Sequence, residues 1–189
     1  MLSSSQPDAL FLDRLPSPIG TMLVVHDTQE RLRAIEFDDC EARLMQLLRI
    51  HYGSRALSKR RAPAVICDAL ANYFAGDLRA IDRIEVATMG TQFQRDVWAA
   101  LRTIRPGTTL SYSALAARIG RPKAVRAVGA ANGSNTISVV VPCHRVIGAD
   151  ASLTGYGGGI ERKRWLLSHE GAAFKGAGPL RIAASAATT

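Results

Sequence analysis

Ser111-Tyr112-Ser113-Ala114-Leu115-Ala116-Ala117-Arg118-Ile119-Gly120 runs straight into Arg121-Pro122-Lys123-Ala124-Val125-Arg126-Ala127-Val128-Gly129-Ala130-Ala131-Asn132-Gly133. The Ser111 hydroxyl suits the N-cap of a helix over Tyr112–Ile119, and Gly120 suits its left-handed stop. Pro122 fits the first turn of a second helix, Pro122–Asn132, which Gly133 ends. Two short helices joined by a glycine turn predict a helix-turn-helix. The second helix is unusual in its bulk: Ala124, Ala127, Gly129, Ala130 and Ala131 accompany Lys123 and Arg126. So small a surface lets a backbone approach a groove closely. Glycine inside a helix costs about 1 kcal/mol against alanine, so Gly129 calls for a compensating reason. Tight helix–helix packing uses the same small residues, with Arg126 as a plain surface charge, and these residues alone leave both readings open.

Downstream, Ile137–Val141 is an apolar, strand-like run stopped by Pro142. A glycine-rich loop, Gly155-Tyr156-Gly157-Gly158-Gly159, leads to a helix over Glu161–His169 with Trp165, Leu166 and Leu167 inward. Upstream, Gln92–Leu101 carries Phe93, Val97, Trp98 and Leu101 at helical spacing, closed by Arg105-Pro106-Gly107. The first half reads differently. Phe11–Leu15, Met22–His26 and Leu32–Phe37 are predicted strands, the first two joined by the turn Pro16-Ser17-Pro18-Ile19-Gly20. Helices follow over Glu41–Tyr52 (Leu44, Leu47, Leu48, Ile50 inward) and Pro63–Phe74 (Val65, Ile66, Ala69, Leu70, Phe74 inward), stopped by Gly53 and Gly76. Ser54–Arg61 reads as a loop and Ile84–Ala87 as a further strand. The expected organisation is α+β: one unit over 1–89, a mainly helical unit over 90–171, and a poorly ordered Ala/Gly/Thr-rich tail over 172–189.

The net charge of +8 is lopsided. Residues 1–90 hold 11 Lys/Arg and 12 Asp/Glu, or −1, and residues 91–189 hold 13 and 4, or +9. A localised basic excess is the footprint expected for a polyanion, nucleic acid first. It is equally compatible with a basic surface kept for solubility. No apolar run approaches the roughly 20 residues of a membrane span, and the Ser/Gln/Pro-flavoured start lacks a secretory layout, so a cytoplasmic protein is expected.

Three cysteines, with no Cys-x-x-Cys pair, argue against a disulfide framework and a cysteine zinc site. Cys67 reads as a small buried hydrophobe. Cys40, between Asp39 and Glu41, has a raised pKa and little reactivity. Cys143 stands in Val141-Pro142-Cys143-His144-Arg145-Val146, with two bases directly after it and no acid before Asp150. That neighbourhood favours a thiolate, while a buried cysteine beside a packing histidine would use the same residues. Tyr112, at a helix start, can donate to a base or phosphate, or simply pack. The Gly155–Gly159 loop lacks the Lys-Ser/Thr of a phosphate loop.

Val141-Pro142-Cys143-His144-Arg145-Val146 resembles the active-site signature of the O6-alkylguanine-DNA alkyltransferases, or methylated-DNA–protein-cysteine methyltransferases. Phe93-Gln94-Arg95-Asp96-Val97-Trp98, Ser111-Tyr112, Lys123 to Gly129, Ala131-Asn132-Gly133-Ser134-Asn135, Gly155-Tyr156 and Trp165-Leu166-Leu167-Ser168-His169-Glu170-Gly171 fall in the family's order and spacing. The likeness is strong from Met89 to Gly171 and looser over 10–88, where Pro18-Ile19-Gly20 and Tyr73-Phe74-Ala75-Gly76 are family-like. It is closest to the constitutive bacterial stand-alone form.

The resemblance implies a small ribonuclease-H-like α/β unit followed by a winged-helix-like unit with the helix-turn-helix, and no role as a transcription activator. It implies a monomer that binds alkylated double-stranded DNA through the minor groove, with Lys123, Arg126, Ala127, Gly129 and Ala130 on the DNA, and no membrane, metal or cofactor. Arg126 fills the gap in the base stack, and Tyr112 crowds the target phosphate and donates to guanine N3. Cys143, His144 and Glu170 form the hydrogen-bonded catalytic chain, partly through water, and Asn135 braces the cysteine turn. Val146, Tyr156, Gly157 and Gly158 surround the flipped base. Thr136 replaces the family's usual proline, which implies a looser turn. Gly157 replaces a serine or alanine, which implies a wider pocket that accepts bulky O6-adducts. Two other classes remain to be weighed: a sensor of alkylated guanine, which lacks the nucleophilic cysteine, and a Cys-His hydrolase, for which no acyl site is evident.

Overall fold

The computed structural model describes residues 6–54 and 56–177. Strands β1 (Leu10–Leu15), β2 (Met22–Asp27) and β3 (Leu32–Phe37) form an antiparallel meander. The turn between the first two is closed by Gly20 N–H donating to the Ser17 carbonyl at 3.2 Å. A fourth strand, β4 (Leu57–Lys59), lies parallel to β1 and completes the sheet order β3-β2-β1-β4. This corrects the loop expected over Ser54–Arg61. Three residues are too few for a period to show, and the pairing is provided by the open edge of β1.

Helix α1 (Glu41–Tyr52) buries Leu44, Leu48 and Tyr52 against Leu10, Leu23, Val25 and Ala34 on one sheet face. Ile50, expected inward, is 66% exposed, and Tyr52 takes the inner position. In α2 (Ala64–Phe74) the buried face is Ile66, Ala69, Leu70 and Tyr73, with Val65 turned out. Ile84–Ala87 is not a strand: Val86 makes an isolated bridge to Leu32, with Leu32 N–H donating to the Glu85 carbonyl and Ala87 N–H to that of Leu32.

Helix α3 (Gln92–Arg102) begins with a reciprocal cap, Thr91 Oγ1 accepting from Gln94 N–H and Gln94 Oε1 from Thr91 N–H. Its Trp98 is fully buried and donates Nε1–H to the Ala131 carbonyl at 2.8 Å. That bond locks α3 onto α5 (Val125–Gly133). Between them lies α4 (Tyr112–Arg118), capped by Ser111 as expected, with Gly120 at φ +70° turning the chain. The second helix of the pair starts three residues later than Pro122. Pro122 and Lys123 form a turn instead, closed by Ala124 N–H on the Arg121 carbonyl at 2.8 Å.

Residues 137–141 do not form a strand either. Ile137 bridges once to Ile35, and the chain then folds tightly on itself. A two-residue parallel pair follows, β5 (Leu110–Ser111) with β6 (Val146–Ile147), and α6 (Ile160–His169) closes the element list. Leu166 and Leu167 are buried, while Trp165 is half-buried and stacks on His169. The start of the tail is packed, since Ala172 and Phe174 are buried with Ile147 and Leu167; residues 178–189 lie outside the described residues. The main core draws Val24, Ile35, Ile66 and Tyr73 together with Trp98, Leu115, Val139 and Leu166. Both halves of the chain therefore share one apolar interior.

Candidate active site

The chain reaches Cys143 through two consecutive three-residue turns. Val140 N–H donates to the Ser138 carbonyl at 2.8 Å, across Val139 at φ +70°. A β-branched residue in that region is strained by about 1–3 kcal/mol, and the buried core around Val139 holds it there. Cys143 N–H then donates to the Val141 carbonyl at 2.8 Å, across Pro142 at φ −80°, ψ 65°, a conformation that proline's ring favours. A strand would have aimed alternate side chains at opposite faces. These turns instead send Val139, Val140 and Val141 into the core and set Cys143 at the start of a short 3-10 turn.

Asn135 braces this arrangement, as the resemblance implies. Its Nδ2 donates to the Val141 carbonyl at 2.9 Å and reaches Cys143 Sγ at 3.1 Å, and its Oδ1 accepts from Ile137 N–H at 3.0 Å. Thr136 does not loosen the turn. It is buried, its carbonyl accepts from Ile35 N–H, and its hydroxyl bonds the Arg33 carbonyl.

Of the two bases after Cys143, Arg145 does not act on the thiol as the linear sequence suggests. Arg145 turns to Glu170, with Nε–Oε2 and Nη2–Oε1 both at 2.8 Å, and also reaches the Ile104 carbonyl. His144 Nε2 lies 2.9 Å from Glu170 Oε1, and the Tyr73 hydroxyl donates to the same oxygen at 2.7 Å. Burial opposes charge on Glu170, yet His144 and Arg145 hold its carboxyl well below the usual carboxylate range. A carboxylate only accepts, so His144 donates through Nε2 and its Nδ1 carries the lone pair. Nδ1 is itself buried without a hydrogen-bond partner among the described residues. Burial pushes the Cys143 thiol up, against the Asn135 bond, and pulls the His144 imidazolium down, against Glu170. The resting pair is thus neutral thiol and neutral imidazole, with the carboxylate ready to stabilise an imidazolium.

Tyr112, Tyr156 and the loop complete the surroundings. The Tyr112 hydroxyl shares a 2.9 Å hydrogen bond with Thr154 Oγ1. Tyr156 stands edge-on to His144, ring centroids 6.4 Å apart. Gly158 is required by space, because a Cβ there would lie 2.9 Å from the Phe37 ring. Gly157 does not open the pocket wall: the room its side chain would take holds the Arg43 guanidinium, whose Cζ would lie 2.5 Å from a Cβ. The expected extra width is absent. On α5, Arg126, Ala127 and Ala130 form an exposed face beside exposed Lys123, and Gly129 is half-buried. A methyl at Gly129 would meet the Tyr112 ring at an ordinary 3.8 Å, so crowding does not explain this glycine.

Four residues at this site escaped the sequence reading: Tyr73, Glu36, Arg43 and Lys163. Tyr73 was visible only as part of a family-like run. Lys163 is fully buried and donates to the Val146 carbonyl at 2.7 Å and to both oxygens of Thr154, and burial pulls its pKa down to about 8. Cys67 is half-buried, with its thiol 3.5 Å from the Ala62 carbonyl, and burial raises its pKa. Cys40 is likewise raised, by burial first and then Asp39 and Glu36 rather than Glu41.

The site's plan has counterparts among known proteins. The sequence profile of the 6-O-methylguanine DNA methyltransferase DNA-binding domain matches residues 92–172. The methylated-DNA–protein-cysteine methyltransferase of Salmonella typhimurium is 54% identical over 164 residues, 86% of this chain and 96% of that one. The chain belongs to this methyltransferase family. Among solved structures, OGT of Mycobacterium tuberculosis in complex with DNA superposes with a TM-score of 0.71 at 38% identity, covering 85% of this chain and 92% of that one. The O6-methylguanine-DNA methyltransferase of Pyrococcus kodakaraensis matches with a TM-score of 0.68 at 26% identity, over 86% and 99%. The likeness to the family thus spans the sheet as well as the matched domain.

Proposed function

We infer that this protein repairs O6-alkylguanine in duplex DNA by moving the alkyl group irreversibly onto Cys143. The observation that carries the reading is the Asn135–Cys143 contact beside the buried His144–Glu170 pair, built on a fold that a DNA-bound family member shares. The Cys143 thiol loses its proton through water to His144 Nδ1, and Glu170 stabilises the resulting imidazolium. The thiolate sulfur attacks the alkyl carbon and forms a C–S bond as the C–O6 bond breaks, the electron pair leaving with guanine. Tyr112 donates a proton toward guanine N3, and the proton first taken by His144 makes good the loss. The sum is alkylguanine plus thiol giving guanine plus thioether, which water does not readily cleave, so each molecule acts once.

The exposed Arg126, Ala127 and Ala130 face of α5 suits a minor groove, since small side chains allow close backbone approach. Arg126 then fills the stack left by the flipped base, at a cost of a few kcal/mol for flipping. Val146, Tyr156, Gly157 and Gly158 receive that base. The sheet order β3-β2-β1-β4, with β4 parallel to β1, supports a ribonuclease-H-like unit over 1–89. The α3–α4–α5 cluster with the β5–β6 pair supports a winged-helix-like unit over 90–171.

Mass spectrometry after incubation with duplex DNA carrying O6-methylguanine tests this reading. A permanent methyl mass on the Cys143 peptide supports it. Binding with an unchanged mass would mean a damage sensor, and released product with unmodified Cys143 would mean a hydrolase.

A further inference from the structure

Arg43 projects from α1 into the site of another segment. Its Nη1 pairs with Glu36, a carboxylate whose side chain is 1% exposed. Its Nη2 donates to the Gly133 carbonyl at 2.7 Å and lies 3.3 Å from that of Asn135, the residue whose amide touches Cys143 Sγ. Ser138, in the turn before Cys143, bonds the same Glu36 at 3.5 Å. The guanidinium is thus fixed at three points around the turn that presents the thiol.

Across from it is Gly157. A Cβ built there would lie 2.5, 2.7 and 2.9 Å from Cζ, Nη2 and Nη1 of Arg43, so the guanidinium lies flat over the glycine. Cys40, also near the start of α1, has its thiol 3.6 Å from the Gly157 carbonyl. The glycine loop is therefore backed by α1 at Gly157, while a Cβ at Gly155 or Gly159 would meet open space.

We propose that Arg43 is a specificity-determining residue for alkyl transfer, its planar head forming the pocket wall that a side chain at Gly157 would otherwise supply. This rests on Cys143 being the acceptor in a pocket that Gly157 lines. Two consequences follow from the shared space. Shortening Arg43 opens the wall to groups larger than methyl. A side chain at Gly157 is excluded while Arg43 is present and accommodated once it is gone.

The test measures single-turnover transfer from duplexes carrying O6-methylguanine or O6-benzylguanine, for wild type, Arg43→Ala, Arg43→Lys, Gly157→Ser and Arg43→Ala/Gly157→Ser. Arg43→Ala is expected to raise the benzyl-to-methyl rate ratio roughly tenfold, the discrimination that a small change in pocket volume provides. Arg43→Lys keeps the charge but not the planar head, and should shift the ratio the same way if the alanine variant folds poorly. Gly157→Ser should slow transfer in the wild-type background and far less beside Arg43→Ala, where it should also restore the preference for methyl. A merely structural Arg43 would lower both rates together, and a ratio unchanged in both arginine variants overturns the proposal. So does a Gly157→Ser effect that is equal in the two backgrounds. If wild type transfers neither group to Cys143, the functional reading fails with it, whereas normal wild-type transfer with an unmoved ratio sinks the wall alone.

Discussion

His144 Nε2 and Glu170 Oε1 stand 2.9 Å apart in the buried centre of the molecule, and that contact settles which ring nitrogen can act as a base. Glu170 already accepts from Tyr73 and twice from Arg145, and its carboxyl stays ionised despite burial. The imidazole must donate to it and therefore offers Nδ1 as the acceptor.

Removing the nucleophile should separate chemistry from recognition. Cys143→Ala is expected to abolish alkyl transfer and to leave affinity for alkylated duplex near wild type, because the exposed α5 face does not include Cys143. Gel-shift titration together with the transfer assay checks it. Transfer persisting at a wild-type rate would remove Cys143 from its role.

Glu170→Gln leaves the Arg145 guanidinium buried without its counter-charge. A loss of about 3–5 kcal/mol is expected at neutral pH, the usual effect of breaking a buried pair, alongside loss of transfer. The pH dependence has a definite sign. The folded carboxyl is depressed below the ordinary 4.5, so its contribution is present above that value and fades as pH falls toward the folded pKa. Urea unfolding at neutral pH and at successively lower pH should show the gap between wild type and variant shrinking below about 4.5. A gap that widens in acid would contradict the ion-pair account.

Tyr73→Phe deletes one donor to Glu170 from a helix distant in sequence. A stability loss of about 1–2 kcal/mol is expected, together with an altered rate-versus-pH profile for transfer, because the carboxylate facing His144 then has one donor fewer. An unchanged rate-versus-pH profile would limit Tyr73 to packing.

Arg126→Ala should slow repair of duplex DNA far more than reaction with free O6-benzylguanine, which requires no flipping. Arg126 is exposed on α5, away from the Cys143–Glu170 chain, so its removal should not disturb the pocket. Equal slowing on both substrates would place Arg126 in the pocket or the fold.

The helix pair around Gly120 and the candidate site residues Cys143, His144, Glu170 and Asn135, which the structure brings close together, were legible because local chemistry and motif spacing report them. Capping serines, glycine stops and 3.6-residue periodicity act within a few residues, so Ser111, Gly53 and Gly76 marked element ends correctly. The failures share a cause. Val139, Val140 and Val141 read as a strand, since apolar β-branched runs favour extension, yet the surrounding core holds Val139 at φ +70°. Leu57–Lys59 read as loop because its pairing depends on β1, more than 40 residues away.

Through-space electrostatics lay equally outside the sequence's reach. Arg145 sits two residues from Cys143 in the chain and spends its charge on Glu170, while Asn135, eight residues away, touches the thiol. Gly157 read as empty space because a glycine's surroundings are set by whatever packs against it, here Arg43 from a helix more than 100 residues earlier. Sequence alone determined which chemistry the chain carries, because residue types and short spacings are covalent facts. Tertiary structure alone decided which charge faces which group and which side chain fills which space, because burial and contact depend on where the whole chain folds.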